Sequence, residues 1–265
     1  METAALIASG LIGVTLGLIG GGGSIMTVPV LVYLFGLSPL LSTSYSLFIV
    51  GTTSLVGAVN SYRRGLVDIP TAFSFSIASV LTVFLTRKFI IPLLPGNMFS
   101  IGSFTVTEPV LMMVLFALLM VTASLSMIKK DEGPPKVYAD NNKNSSAFKF
   151  LLYGTGIGLI TGFLGAGGGF LLIPTLVLLL GLQMKQAIGT SLLIISFNSL
   201  TGFAADLGHF SIDWPLLLKI TGIAVSGLFA GSYLNRKTDA GKLKRGFGWF
   251  VLIMGIYIII KEAFF

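Results

Sequence analysis

Seven stretches of this chain run for long distances without a charged side chain: residues 4–36, 40–62, 69–86, 109–128, 150–184, 186–205 and 246–260. Each approaches or exceeds the ~17–20 apolar residues that cross a bilayer. Charged residues make up 10% of the sequence and its mean hydropathy is +0.94, whereas soluble domains carry about 25% charge. A backbone in hydrocarbon must satisfy its own hydrogen bonds, and the alternating pattern of barrel strands is absent, so the spans are expected to be helices. The chain reads as an all-α polytopic membrane protein.

Other features narrow the class. There is no cysteine, hence no disulfide framework and no thiolate metal site. The net charge of +7 comes from basic residues between spans, where they are expected to set orientation rather than bind nucleic acid. The opening "METAALIASGLIG" has no basic n-region and reads as mature protein.

Two of the apolar runs are interrupted by glycine: "GLIGGGGSIMTVPVLVYLFGL" from Gly17 and "GFLGAGGGFLLIPTLVLLLGL" from Gly162. They are copies of each other. A shift of 145 residues places Gly13, Gly17, Gly20, Gly22 and Gly23 on Gly158, Gly162, Gly165, Gly167 and Gly168, and Pro29 on Pro174. It also places Gly36-Leu37 on Gly181-Leu182, Ser46 on Ser191, Ser54 on Ser199, Gly57 on Gly202, and Asp68 and Pro70 on Asp213 and Pro215. A gapless register that pairs prolines, serines and an aspartate marks a duplication. The expected division is repeat 1 over 1–128, a polar linker over 129–149 and repeat 2 over 150–265.

Residues 2–36 as one helix would be about 50 Å long, against ~30 Å of hydrocarbon. The glycines are therefore expected to turn the chain, so that 2–19 and 24–36 meet at a tip, as do 150–164 and 170–182. The basic residues support this. With four simple spans per repeat they divide eight to eight, but with each glycine run folded back they divide thirteen to three. The thirteen are Arg63, Arg64, Lys185, the linker lysines and the cluster Arg236–Arg245; the three are Arg87, Lys88 and Lys261. By the positive-inside rule the linker is cytoplasmic and both termini are outside. An odd number of segments per half makes the repeats inverted, each a glycine-broken hairpin plus three transmembrane helices, eight to ten membrane segments in all. The count does not separate full crossings from re-entrant hairpins; the short second arms favour partial penetration.

Each tip leads into a half-helix, at Ser24 and at Gly169, whose free N–H groups and positive dipole end suit an anion. The expected substrate site is Gly20, Gly21, Gly22, Gly23 and Ser24 with Gly165, Gly167, Gly168 and Gly169. The plainer alternative is close helix packing, which is the reading for Gly13 and Gly17. Ser46, Thr53, Ser191 and Asn198 are candidates to help hold the substrate, although hydroxyls often bond their own helix. Asn198, in mid-span, needs a partner in the protein or the substrate. Glu2, Asp68, Glu108, Asp206, Asp213 and Glu262 sit at span ends, so no midplane carboxylate offers a cation site. Lys219, inside a span, either snorkels to the outer interface or attracts anions. His209, the single histidine, reads as a solvent-facing loop residue. No metal site, cofactor or catalytic constellation is expected.

The paired G-x-x-G-x-G-G segments, the proline-bearing arms "TVPVLVYLFGL" and "LIPTLVLLLGL", and the loop "VNSYRRGLVDIP" resemble the TauE/SafE sulfite exporter family, also called the toluene sulfonate uptake permeases. The stretch 85–109 lacks the compact Gly-Ala-rich helix end of that pattern. The resemblance implies a secondary transporter of the bacterial or archaeal inner membrane, moving sulfite, organosulfonates or related anions. Its partners would be the anion, the bilayer, a coupling ion (H+ or Na+) and a second copy of the chain. The competing classes are a non-transporting scaffold, an intramembrane enzyme and an anion channel.

Overall fold

The computed structural model describes residues 2–93, 97–101, 104–128, 143–209, 211–235 and 240–264. Ten α-helices lie among them. Repeat 1 holds α1 (Glu2–Ile19), a 3-10 stretch (Gly20–Met26), α2 (Thr27–Tyr33), α3 (Pro39–Tyr62), α4 (Ile69–Leu85) and α5 (Glu108–Ile128). Repeat 2 holds α6 (Lys143–Leu164), α7 (Gly169–Leu180), α8 (Met184–Asp206), α9 (Trp214–Asn235) and α10 (Ala240–Phe264). Residues 129–142 of the expected linker lie outside the described residues, and its last part, from Lys143, belongs to α6. Four helices are long and apolar enough to cross a membrane: Pro39–Tyr62, Ile69–Leu93, Met184–Asp206 and Trp214–Leu234. Further apolar helical stretches run over Leu6–Leu18, Gly23–Tyr33, Pro109–Leu125 and Leu151–Leu164.

The all-α expectation needs one addition. Between α4 and α5, β1 (Asn97–Ile101) and β2 (Phe104–Thr107) pair antiparallel, with Ile101 opposite Phe104 and Ser100 opposite Thr105. This hairpin lies in the stretch where the sequence leaves the family pattern.

Positions paired by the 145-residue shift share local structure at two places. Asp68 accepts a hydrogen bond from the Thr71 N–H, and Asp213 accepts one from Leu216, each at 3.0 Å. These aspartates cap α4 and α9, and the prolines two residues on sit where a helix has no N–H to lose. Each capping residue is then held by the other repeat: Asp68 N–H donates to Thr190 Oγ1 and Asp213 N–H to the Tyr45 hydroxyl. Thr190 and Tyr45 are themselves related by the 145-residue shift. The arms α2 and α7 end alike, with Gly36 and Gly181 at φ +69° and +66°. There Leu37 N–H reaches back to Leu31 O and Leu182 N–H to Leu176 O, each at 3.2 Å.

Packing exchanges partners between the repeats. In lipid, apolar side chains gain little by leaving the acyl chains for a neighbouring helix, so close backbone approach matters more. Gly13 and Gly17 of α1 press on the backbone of Ala224, Leu228 and Gly231 in α9, while Gly227 and Gly231 press back on Gly10 and Val14. The register-shifted pair is α6 on α4, where Gly154, Gly158 and Gly162 meet Phe75, Ser79 and Thr86. At the centre α3 packs on α8, each about two-thirds buried (67%). Gly51 meets Leu200, Gly57 meets Leu192 and Gly202 meets Leu47, so these two equivalent helices run antiparallel.

Buried apolar side chains fill three regions. One joins Ile12, Leu16, Met113, Phe116, Met120 and Val251; a second Val50, Phe75, Leu172, Leu176 and Ile195; a third Tyr45, Leu47, Phe203, Leu217 and Ile220. Phe73, Ile77, Leu81, Phe229 and Ile253 point outwards, as acyl chains require. A contact between α2 and the end of α10 ties the halves together: the Tyr33 hydroxyl donates to Glu262 Oε1 at 2.9 Å, and Lys261 Nζ lies 4.1 Å from the Tyr33 ring centroid.

Candidate functional site

Both glycine runs break their helices, and they do so against each other. Gly20 and Gly165, equivalent in the repeats, stand at φ +72° and +65°, a backbone region costly for side-chain-bearing residues. Beyond them the tips differ. Repeat 1 continues through Gly21, Gly22, Gly23 and Ser24 as a 3-10 helix and reaches α-helix only at Thr27, not at Ser24 as the sequence suggested. Repeat 2 turns sharply through Gly167 and Gly168, both at positive φ, and starts α7 at Gly169 as expected. Leu171 and Leu172 both donate to Gly168 O, which leaves Gly169 and Phe170 N–H without an acceptor inside α7. The tips touch through bare backbone: a Cβ on Gly21 would lie 2.5 Å from Gly169 Cα, and a Cβ on Gly169 would strike Gly21. Glycine at these two positions thus serves the close approach of two chain segments.

The side chains named from sequence play unequal parts. Ser24 donates to Gly21 O, Thr53 to Ile49 O and Ser191 to Ile188 O, so all three bond their own stretch of chain. Ser46 crosses between the repeats and donates to Gly165 O at 2.7 Å, holding the second tip in place. Asn198 is fully buried, and its Oδ1 accepts from Ser79 Oγ at 2.8 Å. Its Nδ2 has no partner. Lys219 is exposed on α9, apart from the buried polar groups.

What the sequence reading missed lies beside the second tip. The sequence places Asp206 at a span end and Arg87 among the basic residues between spans. The structure buries both. Directly after α4 the helix widens into a π-turn, Thr86–Ile90, a local form common at functional positions. Thr86 and Arg87 face inwards on it, while Lys88 is exposed. Arg87 Nη1 donates to Asp206 Oδ2 at 3.0 Å, with side-chain exposures of 0% and 4%. That bond uses one of the five donor N–H groups of the guanidinium; Nε and Nη2 have no partner. Ser44, near the start of α3, faces the Asp206 carboxylate without completing a hydrogen bond to it.

Further unpartnered groups follow the junction of α4, α6 and α8. Thr86 Oγ1, Thr161 Oγ1, Ser199 Oγ and Ser76 Oγ are all buried without partners. Thr86 is the neighbour of Gly162, Thr161 lies against Gly168, and Ser199 would be 3.2 Å from a Cβ on Gly167. Thr43, one residue before Ser44, lies against Gly165. Buried polar groups are nearly always satisfied, so these orphaned hydroxyls set the junction apart from the rest of the described interior. The groove of about 370 Å³ between α5 and α6 is different: Leu115, Leu118, Leu119, Leu159, Ile160, Phe163 and Leu164 line it, and its Thr122 hydroxyl is spent on Leu119 O. Among the described residues no group of three His, Cys, Asp or Glu is placed to hold a metal ion.

Residues 5–258 match the family described as sulfite exporter TauE/SafE. The chain belongs to this family. It is 29% identical over 258 residues to a probable membrane transporter protein of Xylella fastidiosa (strain 9a5c), covering 96% of this chain and 94% of that one. It is 27% identical over 279 residues to the probable membrane transporter protein YunE of Bacillus subtilis (strain 168), covering 98% and 96%. A probable membrane transporter protein of Haemophilus influenzae is 24% identical over 280 residues, covering 97% of each. No solved structure matches the chain at a significant level. The protein is therefore an integral membrane transporter of the TauE/SafE family.

Within this TauE/SafE chain the ion pair breaks the internal symmetry. Shifted by 145 residues, Arg87 corresponds to Ser232, Asp206 to Ser61, Asn198 to Thr53 and Ser79 to Ala224. The α4–α6–α8 junction thus carries charge and an amide where the equivalent α9–α1–α3 junction carries hydroxyls and a methyl group. Ser54 and Ser199, equivalent and both unpartnered, are what the two junctions share.

Proposed function

We propose that this transporter moves a small oxyanion of the sulfite and organosulfonate class by alternating access between two inverted repeats. One observation carries the reading: buried donors without acceptors, from Arg87, Asn198, Thr86, Thr161 and Ser199, gather along one three-helix junction beside the second glycine tip. A sulfonate or sulfite presents several acceptor oxygens on one compact charged head, and charge-assisted hydrogen bonds to such a head are stronger than neutral ones. The N-terminus of α7, with Gly169 and Phe170 N–H, adds its dipole to the same region. Inversion is supported by the antiparallel course of α3 and α8 and by the thirteen-to-three division of basic residues. In this arrangement the linker is cytoplasmic, both termini are outside, and the two glycine tips form the pivot.

Purified protein in liposomes is expected to carry sulfite and isethionate in a saturable manner with counterflow. An absence of both fluxes would remove the reading, and conductance without counterflow would turn it into a channel. The cysteine-free sequence makes the topology directly testable. Single cysteines placed at Thr3 and Ala263 should react with an impermeant maleimide from outside the cell, and one at Lys136 only after lysis.

A further inference from the structure

The Arg87–Asp206 pair has a second implication, which rests on the proposed anion transport. Two charges have been taken out of water at the end of α8, a costly step that their mutual attraction offsets only if further hydrogen bonds complete the site. Those bonds are missing. Nε and Nη2 of Arg87 are unused, and Ser44 does not complete a bond to Asp206. A guanidinium fork fits an oxyanion in a bidentate manner, and the carboxylate on Nη1 occupies the position from which such a ligand is repelled. The buried site holds one positive and one negative charge, so an added anion leaves it with an uncompensated negative charge in a low-dielectric setting. A single proton on Asp206 cancels that excess.

We infer that Asp206 is the proton carrier of the transport cycle: the substrate anion takes over Arg87 as the Asp206 carboxylate accepts a proton, so that anion and proton travel together with no net charge. The proton comes from the aqueous phase on the loading side and leaves when Asp206 re-forms its bond to Arg87 on the other side. The site begins and ends neutral. The titratable and charged groups facing Asp206 are few. Arg87 comes from the π-turn and His209 from the turn after α8. Ser44 represents α3, and neither α7 nor the glycine stretch before α2 contains a charged residue. On α6 the charged residues, Lys143 and Lys149, are at the helix end remote from Gly162. The equivalent positions Ser61 and Ser232 cannot do this chemistry, so the proton pathway belongs to one junction of the otherwise duplicated fold.

The test uses isethionate, whose sulfonate stays monovalent throughout the accessible pH range. Adding it to the detergent-solubilised protein in weak buffer is expected to draw a single proton per bound anion from solution. Its affinity is expected to rise by about tenfold per unit fall in pH while Asp206 is ionised in the free protein. Asp206→Asn, a mimic of the protonated acid, should bind isethionate without proton uptake, and in liposomes should lose accumulation driven by an inward proton gradient. His209→Gln should keep proton uptake. Should Asp206→Asn not fold, Asp206→Glu serves instead, retaining proton uptake with its pH midpoint displaced. Binding by the wild type without proton uptake overturns the inference and leaves anion transport standing, as does proton uptake that persists in Asp206→Asn. No binding and no flux of isethionate or sulfite at any pH overturns both.

Discussion

Replacing Arg87 alone by methionine is expected to destabilise the protein by about 3–5 kcal/mol, the range for removing one partner of a buried ion pair. The double variant Arg87→Met with Asp206→Leu should recover most of that loss. The physical reason is asymmetric. Arg87 and Asp206 are 0% and 4% exposed and bonded at 3.0 Å, so either one left alone is an unpaired charge away from water. Removing both leaves neither an unpaired charge nor an incompletely bonded ion pair in the interior. Unfolding midpoints of the detergent-solubilised proteins measure this as a double-mutant cycle, in which strong coupling between the sites shows as non-additivity. Transport should be lost in the double variant despite its stability. Two single variants each as stable as the wild type would mean that water reaches the pair, and the site would then be a solvated vestibule rather than a closed one.

The burial of this pair was not legible in the sequence, and the reason is specific. Arg87 precedes Lys88, and Asp206 stands three residues before His209, both neighbours that the structure leaves exposed. At a span end, charge normally meets water. What turns Arg87 inwards is the π-turn at Thr86–Ile90 together with the glycine-lined approach of α6 to α4, and neither is a property of local composition. A signal was nevertheless present in the repeat comparison: the shift that pairs Asp68 with Asp213 also pairs Arg87 and Asp206 with serines, two departures of opposite charge. The duplicated features fared better because their chemistry is local. Asp-x-Pro at the start of α4 and α9 is a helix cap in any surroundings, and Gly-Leu after α2 and α7 closes each arm in the same way. The tips fell in between. Glycine marked the break correctly at Gly20 and Gly165, but whether the chain beyond it forms a 3-10 stretch or a new α-helix depended on what each tip packs against. The β1–β2 hairpin had its own local sign, an alternation of β-formers over Met98–Thr107 around Gly102, masked by the expectation that a membrane chain is helical throughout.

Gly169→Ala is expected to abolish transport and to lower the yield of folded protein severely, and Gly21→Ala to do the same, while Gly156→Ala and Gly222→Ala are tolerated. All four changes add the same methyl group to apolar surroundings, so hydrophobicity and helix propensity predict little difference among them. Geometry predicts a large one. A Cβ on Gly21 would stand 2.5 Å from Gly169 Cα and strike Ile195 Cδ1, and a Cβ on Gly169 would strike the Gly21 backbone; nothing lies within 4 Å at Gly156 or Gly222. A flexible side-chain end can move aside, but here each glycine faces the other's main chain. Ser46 also ties the second tip to α3 through Gly165 O, while Ser24 braces the first tip internally through Gly21 O. Relief therefore requires the two glycine tips to separate as bodies, and overpacking of this kind costs about 1–3 kcal/mol or more even where some relaxation is possible. Fluorescence-detected size exclusion reads the folded fraction, and flux in liposomes reads function. Wild-type behaviour of both Gly21→Ala and Gly169→Ala would mean that the tips are apart in the resting transporter. In that event the free N–H groups of α7, rather than the α4–α6–α8 junction, would become the first place to look for bound anion.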